Sequence, residues 1–215
     1  WFCPQSEYRA TEYLQAWVKF WFDDAQRLRA AKHLQQARLV RIRKLWLGYK
    51  PLRDAGFELA VEAFDAALNR AKANIEIAGD NTALLLEEAR LSQQLYALAA
   101  KASKYGAFTR GQRGSATDAA NQFLDHGNYL AYGLGATWVL GLPHGLSVLH
   151  GKTRRGGLVF DVADLIKDAS VLPQAFVSAV AGHDEGEFRR AVIQTLTQTA
   201  ALDFMIDTLK DIAGG

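Results

Sequence analysis

The sequence holds one cysteine, Cys3, one methionine, Met205, and four prolines in 215 residues. A single thiol excludes a disulfide framework and a thiolate zinc cluster, and it suits a reducing compartment. No apolar run approaches the roughly 20 residues of a membrane span, and the opening Trp-Phe-Cys-Pro-Gln-Ser lacks the basic-then-apolar order of a secretion signal. The expected location is the cytoplasm, with no membrane partner. Net charge is nearly absent too: 25 Lys and Arg against 23 Asp and Glu leave +2, which excludes a disordered polyelectrolyte or a uniformly cationic coat. Glycine is scarce early, with Gly48, Gly56 and Gly79 the only three of 18 among the first 105 residues. A chain that opens at Trp1 and meets its only methionine at position 205 is expected to be one part of a longer protein.

What is present is helical pattern. From Thr11 to Trp46 there is no Gly or Pro, and Leu14, Trp17, Val18, Trp21, Leu28, Ala31 and Leu34 recur at three- and four-residue steps, which predicts one long helix or two nearly in line. A second run starts at Asp54 (Phe57, Val61, Phe64, Leu68) and fades near Gly79. Asn81 is read as the cap of a third, which reaches about Lys104. Thr117 or Asp118 opens a helix to Gly141, Phe160 to Lys167 and Val171 to Ala181 fit short ones, and Glu185 to Ile212 fits one long one. No period-two run of strand length occurs, so the fold class is all-α, one domain over residues 1–215. Residues 1–10 read as the remnant of an interdomain linker.

Positive charge is concentrated although its sum is small. Nine basic residues and no acid lie between Ala25 and Arg53, Arg38, Arg41 and Arg43 among them. They wrap a broad helical face, a geometry suited to a phosphate backbone; the plain alternative is a solvated surface. Two Gly-rich loops add Arg110 and Arg113 in one and Lys152, Arg154 and Arg155 in the other.

Carboxylates point to a metal. Asp161 and Asp164 are three apart at the start of a helix, with Cβ atoms roughly 5 to 6 Å apart, and carboxylates that close repel unless a cation sits between them. His150 lies eleven residues upstream of Asp161. One imidazole with two or three carboxylate oxygens suits Mn²⁺ or Mg²⁺ better than thiolate-loving metals. A third oxygen donor is expected from another helix, with Glu87 or Glu88 the choice. Taken singly, each has a plain reading: Glu as helix-dipole partner, Asp161 as N-cap, His150 as a loop hydrogen-bonder. A two-histidine, one-carboxylate iron site from His144, His150 and Asp161 is a weaker arrangement. Ser147 lacks the second glycine of a nucleophile elbow, and no phosphate-cradling glycine precedes Gly151-Lys-Thr.

In chain order, Leu85-Leu-Glu-Glu-Ala-Arg90, Asp118-Ala-Ala-Asn121, Gly141-Leu-Pro-His-Gly145 with Leu149-His150, and Val159-Phe-Asp-Val-Ala-Asp164 resemble the catalytic domain of the universal CRISPR adaptation endonuclease family, the integrase that inserts new spacers. Pro4-Gln-Ser-Glu-Tyr-Arg9, Thr11-Glu-Tyr-Leu-Gln15 and Phe20-Trp-Phe-Asp23 resemble its subtype I-F branch. The resemblance implies that Glu88, His150 and Asp164 bind one Mn²⁺ or Mg²⁺, with Asp161 a further acidic site residue. It implies cleavage of DNA and joining of a spacer precursor to a repeat array through a 3′-hydroxyl. Double-stranded DNA, a homodimer in the full-length family, and a second adaptation protein fused to a helicase-nuclease are the implied partners. The resemblance also implies an N-terminal β-rich domain in family members, and no stretch of these 215 residues is expected to form one. The rival readings are a non-catalytic helical DNA-binding or scaffold module and a helical metal-dependent phosphoesterase.

Overall fold

A computed structural model describes residues 11–111, 118–138, 146–150 and 156–214. Among them there are helices and no strands, as the missing period-two pattern requires. The first long apolar stretch is two helices, α1 (Thr11–Trp21) and α2 (Asp24–Gly48). The break is chemical: Asp23 turns extended, and its carboxylate accepts from the N–H groups of Ala25 and Gln26 to begin a new helix. A short helix α3 (Lys50–Asp54), opened by Pro51, was not expected. α4 (Val61–Ile77) and α5 (Asn81–Ala102) pair next. The cap of α5 is Asp80, which accepts from the N–H of Ala83, and Asn81 is released for another task.

α6 (Ala119–Trp138) follows, starting where Asp118 accepts from the N–H of Asn121. Its predicted extension to Gly141 falls outside the described residues. α7 (Gly157–Ile166) is the centre of the molecule. Its sequence is apolar all round, so burial on every side is its stable setting, and Leu158, Val162, Ala163, Leu165 and Ile166 are 0 to 1% exposed. α6, α2 and α10 pack around it. Only Asp161 and Asp164 interrupt that apolar surface, and buried carboxylates must find donors or cations.

α7 does not stop at Lys167. Residues Lys167–Val171 make a π turn that leads into α8 (Leu172–Ala181). Pro173, whose ring cannot follow a regular α turn, is accommodated by the wider one. α9 (Glu185–Gln198) and α10 (Ala201–Gly214) replace the single long helix expected over 185–212, because the chain turns at Ala200, which takes a left-handed φ of 48°. Close approach of α6 to the π turn depends on Gly127, where a Cβ would strike Val171 and come within 3.0 Å of Phe188. The aromatic half of the core joins α2 to α4 through Trp46 stacked on Phe64 at 5.2 Å.

Candidate metal centre

The loop that carries His150 is tied from both sides. Trp17 and Trp21, one turn apart on α1, donate their indole N–H groups to the carbonyls of Leu146 (3.1 Å) and Ser147 (2.8 Å). Asn81, freed from capping, donates to the carbonyl of Val148. On the other side the loop closes on Asp161. Oδ2 of Asp161 accepts from Ser147 Oγ (2.8 Å), Val148 N (2.8 Å) and Leu149 N (3.3 Å). Oδ1 accepts from the backbone N (3.1 Å) and ring Nδ1 (2.7 Å) of His150. Asp161 therefore holds the loop and orients its histidine. The expectation that Asp161 and Asp164 face one cation together is corrected: the five donors on Asp161 leave it no direction toward a shared ion. Ser147 is a strut in this arrangement.

A carboxylate that accepts from Nδ1 places the proton there, so in the neutral ring the lone pair is on Nε2. Nε2 is 3.5 Å from Asp164 Oδ2 and 4.0 Å from Glu88 Oε2. Donor atoms of Glu88, His150 and Asp164 all lie within 4.8 Å of one another. The side chains are 11%, 13% and 4% exposed, so the cluster is sheltered but reachable. Glu87 is elsewhere: it accepts from Asn74 on α4 at 2.9 Å. Of the two glutamates left open by sequence, Glu88 is the one that meets the histidine.

The surroundings drive the two carboxyls in opposite directions. Burial, with Glu88 beside it, pushes the Asp164 carboxyl up to about 7, although Lys167, His150 and Arg38 pull the other way. Burial also acts against Glu88, but the charges of Arg38, Lys167 and His150 outweigh it and hold that carboxyl down at about 2. The two carboxylates behave as one coupled pair, one proton tending to stay. Burial lowers the basicity of His150, but Asp161, Asp164 and Glu88 together outweigh it, so its pKa is raised. Neither oxygen of Asp164 receives a well-directed hydrogen bond. Lys167, one turn beyond Asp164, sets its ammonium against Asp164 Oδ1 and 3.7 Å from Glu88 Oε1. The Asp164 carboxylate, which takes no directed hydrogen bond and has one oxygen against the Lys167 ammonium, together with a second carboxylate and an imidazole lone pair, is a hard O/N donor set that fits Mn²⁺ or Mg²⁺.

The other predicted contacts divide. Arg38 is 1% exposed and bound to Asp168, with no surface to offer a phosphate. Arg41 is 4% exposed; it donates to the carbonyl and hydroxyl of Thr199 at the C-terminus of α9 and lies 4.7 Å over the ring of Phe204. Both are corrected from DNA contacts to internal residues, because α2 is covered on that side by the π turn and α10. Arg43 is exposed and paired with Asp65 at 3.0 Å. Arg110 is spent on Asn121 (2.7 Å) and Asp125, where it closes its loop against α6. Arg113, Lys152, Arg154 and Arg155 lie outside the described residues, as does His144. Sequence reasoning missed Lys167, Gln35, Asp168 and Asn81. Lys167 had a signal, since it continues the three-residue step of Asp161 and Asp164.

The sequence pattern of the family described as CRISPR associated protein Cas1 matches residues 1–178. The chain is 62% identical over 215 residues to the CRISPR-associated endonuclease Cas1 of Pseudomonas aeruginosa (strain UCBPP-PA14), covering 99% of this chain and 66% of that protein. To the protein of the same name from Pectobacterium atrosepticum it is 58% identical, with the same coverage. It thus spans just under two thirds of their length. In three dimensions it is similar to a Cas1 protein from Thermotoga maritima, with a TM-score of 0.73 at 16% identity over 94% of this chain and 71% of that one. It is also similar to TtCas1 in a complex with DNA, with a TM-score of 0.57 at 22% identity over 83% and 63% of the two chains. The helical fold and the family pattern agree, and the chain belongs to the Cas1 family.

Proposed function

We propose that this chain is the catalytic part of a metal-dependent DNA endonuclease and integrase of CRISPR spacer acquisition. The observation that carries this reading is the convergence of Glu88, His150 and Asp164, from α5, the tethered loop and α7, at a sheltered point. The three would hold one Mn²⁺ or Mg²⁺. Bound there, the ion supplies Lewis acidity toward a phosphodiester oxygen and offsets charge developing on the phosphorus centre. Asp161 keeps the Nε2 lone pair of His150 aimed inward. Lys167, beside both acidic ligands, balances their charge while the site is closed by apolar α7. Attack by water gives strand cleavage; attack by a 3′-hydroxyl exchanges one phosphodiester for another with no covalent enzyme intermediate.

Duplex DNA is the substrate this reading requires, and the names of the relatives and of the DNA-bound neighbour support it. The phosphate contacts fall to Arg43 and to the basic residues Arg113, Lys152, Arg154 and Arg155. For the full-length family the resemblance adds a homodimer and a second adaptation protein fused to a helicase-nuclease. No helix among the described residues is long and apolar enough to cross a membrane. The test is cleavage and joining of labelled duplex in Mn²⁺ and in Mg²⁺. Glu88→Ala, His150→Ala and Asp164→Ala are each expected to abolish both reactions and leave DNA binding largely intact. Full activity in any folded variant removes that residue from the ligand set.

A further inference from the structure

Gln35 and Arg38 stand one turn apart on α2, 3% and 1% exposed. A buried guanidinium is stable only when its donors are met, and those of Arg38 are directed. Nε and Nη2 both donate to Oδ2 of Asp168, Nε at 2.9 Å. Nη2 also reaches Ser92 Oγ at 3.1 Å, and Nη1 donates to Oε1 of Gln35 at 2.9 Å. Asp168 is anchored in turn, its backbone carbonyl accepting from the indole of Trp46 at 3.0 Å, and it sits in the π turn directly after Lys167.

Arginine has donors and no acceptor. The Gln35 atom that faces Arg38 must therefore be the carbonyl oxygen, and this decides the other end of the amide. Its NH₂ points away from Arg38 and stands 3.5 Å from Oε2 of Glu88, at the outer limit of a hydrogen bond. That same oxygen is the one nearest His150 Nε2. An amide turned the opposite way would set oxygen against oxygen.

We propose that Gln35 and Arg38 are positioning residues of the metal centre, Arg38 holding the Gln35 amide so that its N–H faces Glu88 and aims that carboxylate at the ion. The role rests on the reading of Glu88, His150 and Asp164 as a metal site. Neither residue touches the reacting atoms. Their elements connect the two acidic ligands from behind: α2 reaches Glu88 through Gln35, and the π turn following Asp164 through Asp168.

The test uses the full chain without DNA and follows free Mn²⁺ by its electron paramagnetic resonance signal. Gln35→Met is the decisive variant, because it keeps the length and removes the N–H facing Glu88 without adding a charge. Gln35→Leu, which removes the same N–H, is its companion. Both are expected to raise the Mn²⁺ dissociation constant about tenfold or more, as loss of an outer partner of a metal ligand does. A purely structural role would lower the melting temperature in chelator and leave the Mn²⁺ affinity of the folded protein unchanged. Wild-type binding with unchanged affinity in both variants overturns the inference and leaves the metal site standing. If the wild type itself takes up no Mn²⁺, the metal reading fails and the positioning role falls with it.

Discussion

Replacing Asp161 by asparagine tests how the site is built, because Asp161 would act on a metal held by Glu88, His150 and Asp164 only through His150. Its carboxylate accepts from Ser147 Oγ, Val148 N and Leu149 N on Oδ2, and from His150 N and Nδ1 on Oδ1. Asparagine keeps one acceptor oxygen. Three donors against two place that oxygen on the loop side, so the new NH₂ confronts the backbone N–H and Nδ1 of His150. Two charge-assisted hydrogen bonds are lost, at about 1.5 to 3 kcal/mol each, so the variant is destabilised by about 3 to 6 kcal/mol. The ring responds as well. Nδ1 becomes the acceptor, the proton moves to Nε2, and the lone pair that faced Glu88 and Asp164 disappears. Mn²⁺ affinity should then fall about 10- to 100-fold. Urea denaturation gives the stability change, ¹⁵N-resolved histidine NMR in metal-free alkaline buffer gives the tautomer, and Mn²⁺ titration gives the affinity. A folded Asp161→Asn protein that keeps the proton on Nδ1 and binds Mn²⁺ as the wild type does refutes the reasoning.

Raised pKa values at Asp164, about 7, and at His150 mean that the metal-free fold retains protons the unfolded chain has released. The stability tied to those protons is present at low pH and lost as pH rises through the folded values. Since Mn²⁺ must displace the same protons, its stabilising increment should grow from about pH 5 to about pH 8, and an increment that is flat in thermal melts contradicts this. Gly127→Ala should lose about 1 to 3 kcal/mol through overpacking against Val171 and Phe188; an unchanged denaturation midpoint would mean that α6 does not approach the π turn so closely. Arg38→Met takes from buried Asp168 its hydrogen-bonded countercharge and should cost about 3 to 5 kcal/mol, with most of it recovered when Asp168→Leu is added. Denaturation of the single and double variants measures this, and an additive loss would contradict a dedicated pair.

The all-α class was legible because helical period and the lack of alternation are local signals. The boundaries that the period left open or misplaced were set by chemistry beyond it. Asp23 divided the first stretch by capping, Ala200 divided the last by taking a left-handed conformation, and the π turn joined two helices read as separate. The candidate ligands were legible as residue types, and motif order singled them out, but which of them come together needed three dimensions. Asp161 and Asp164 look alike in sequence; only the placement of the loop N–H groups makes one a tether and leaves the other without a directed hydrogen bond, against the Lys167 ammonium. The basic stretch of α2 misled for a related reason. Counting charge does not reveal which face packs, and Arg38 and Arg41 turned inward to Asp168 and Thr199.

The central claim is that Glu88, His150 and Asp164 hold one divalent ion. Crystals soaked in Mn²⁺ and measured at the manganese absorption edge test it most directly. A single strong anomalous peak is expected within about 2.0 to 2.4 Å of a Glu88 oxygen, His150 Nε2 and an Asp164 oxygen, with Asp161 still bonded to Nδ1 of the ring. A peak bound by other residues, or none between these three, would contradict it.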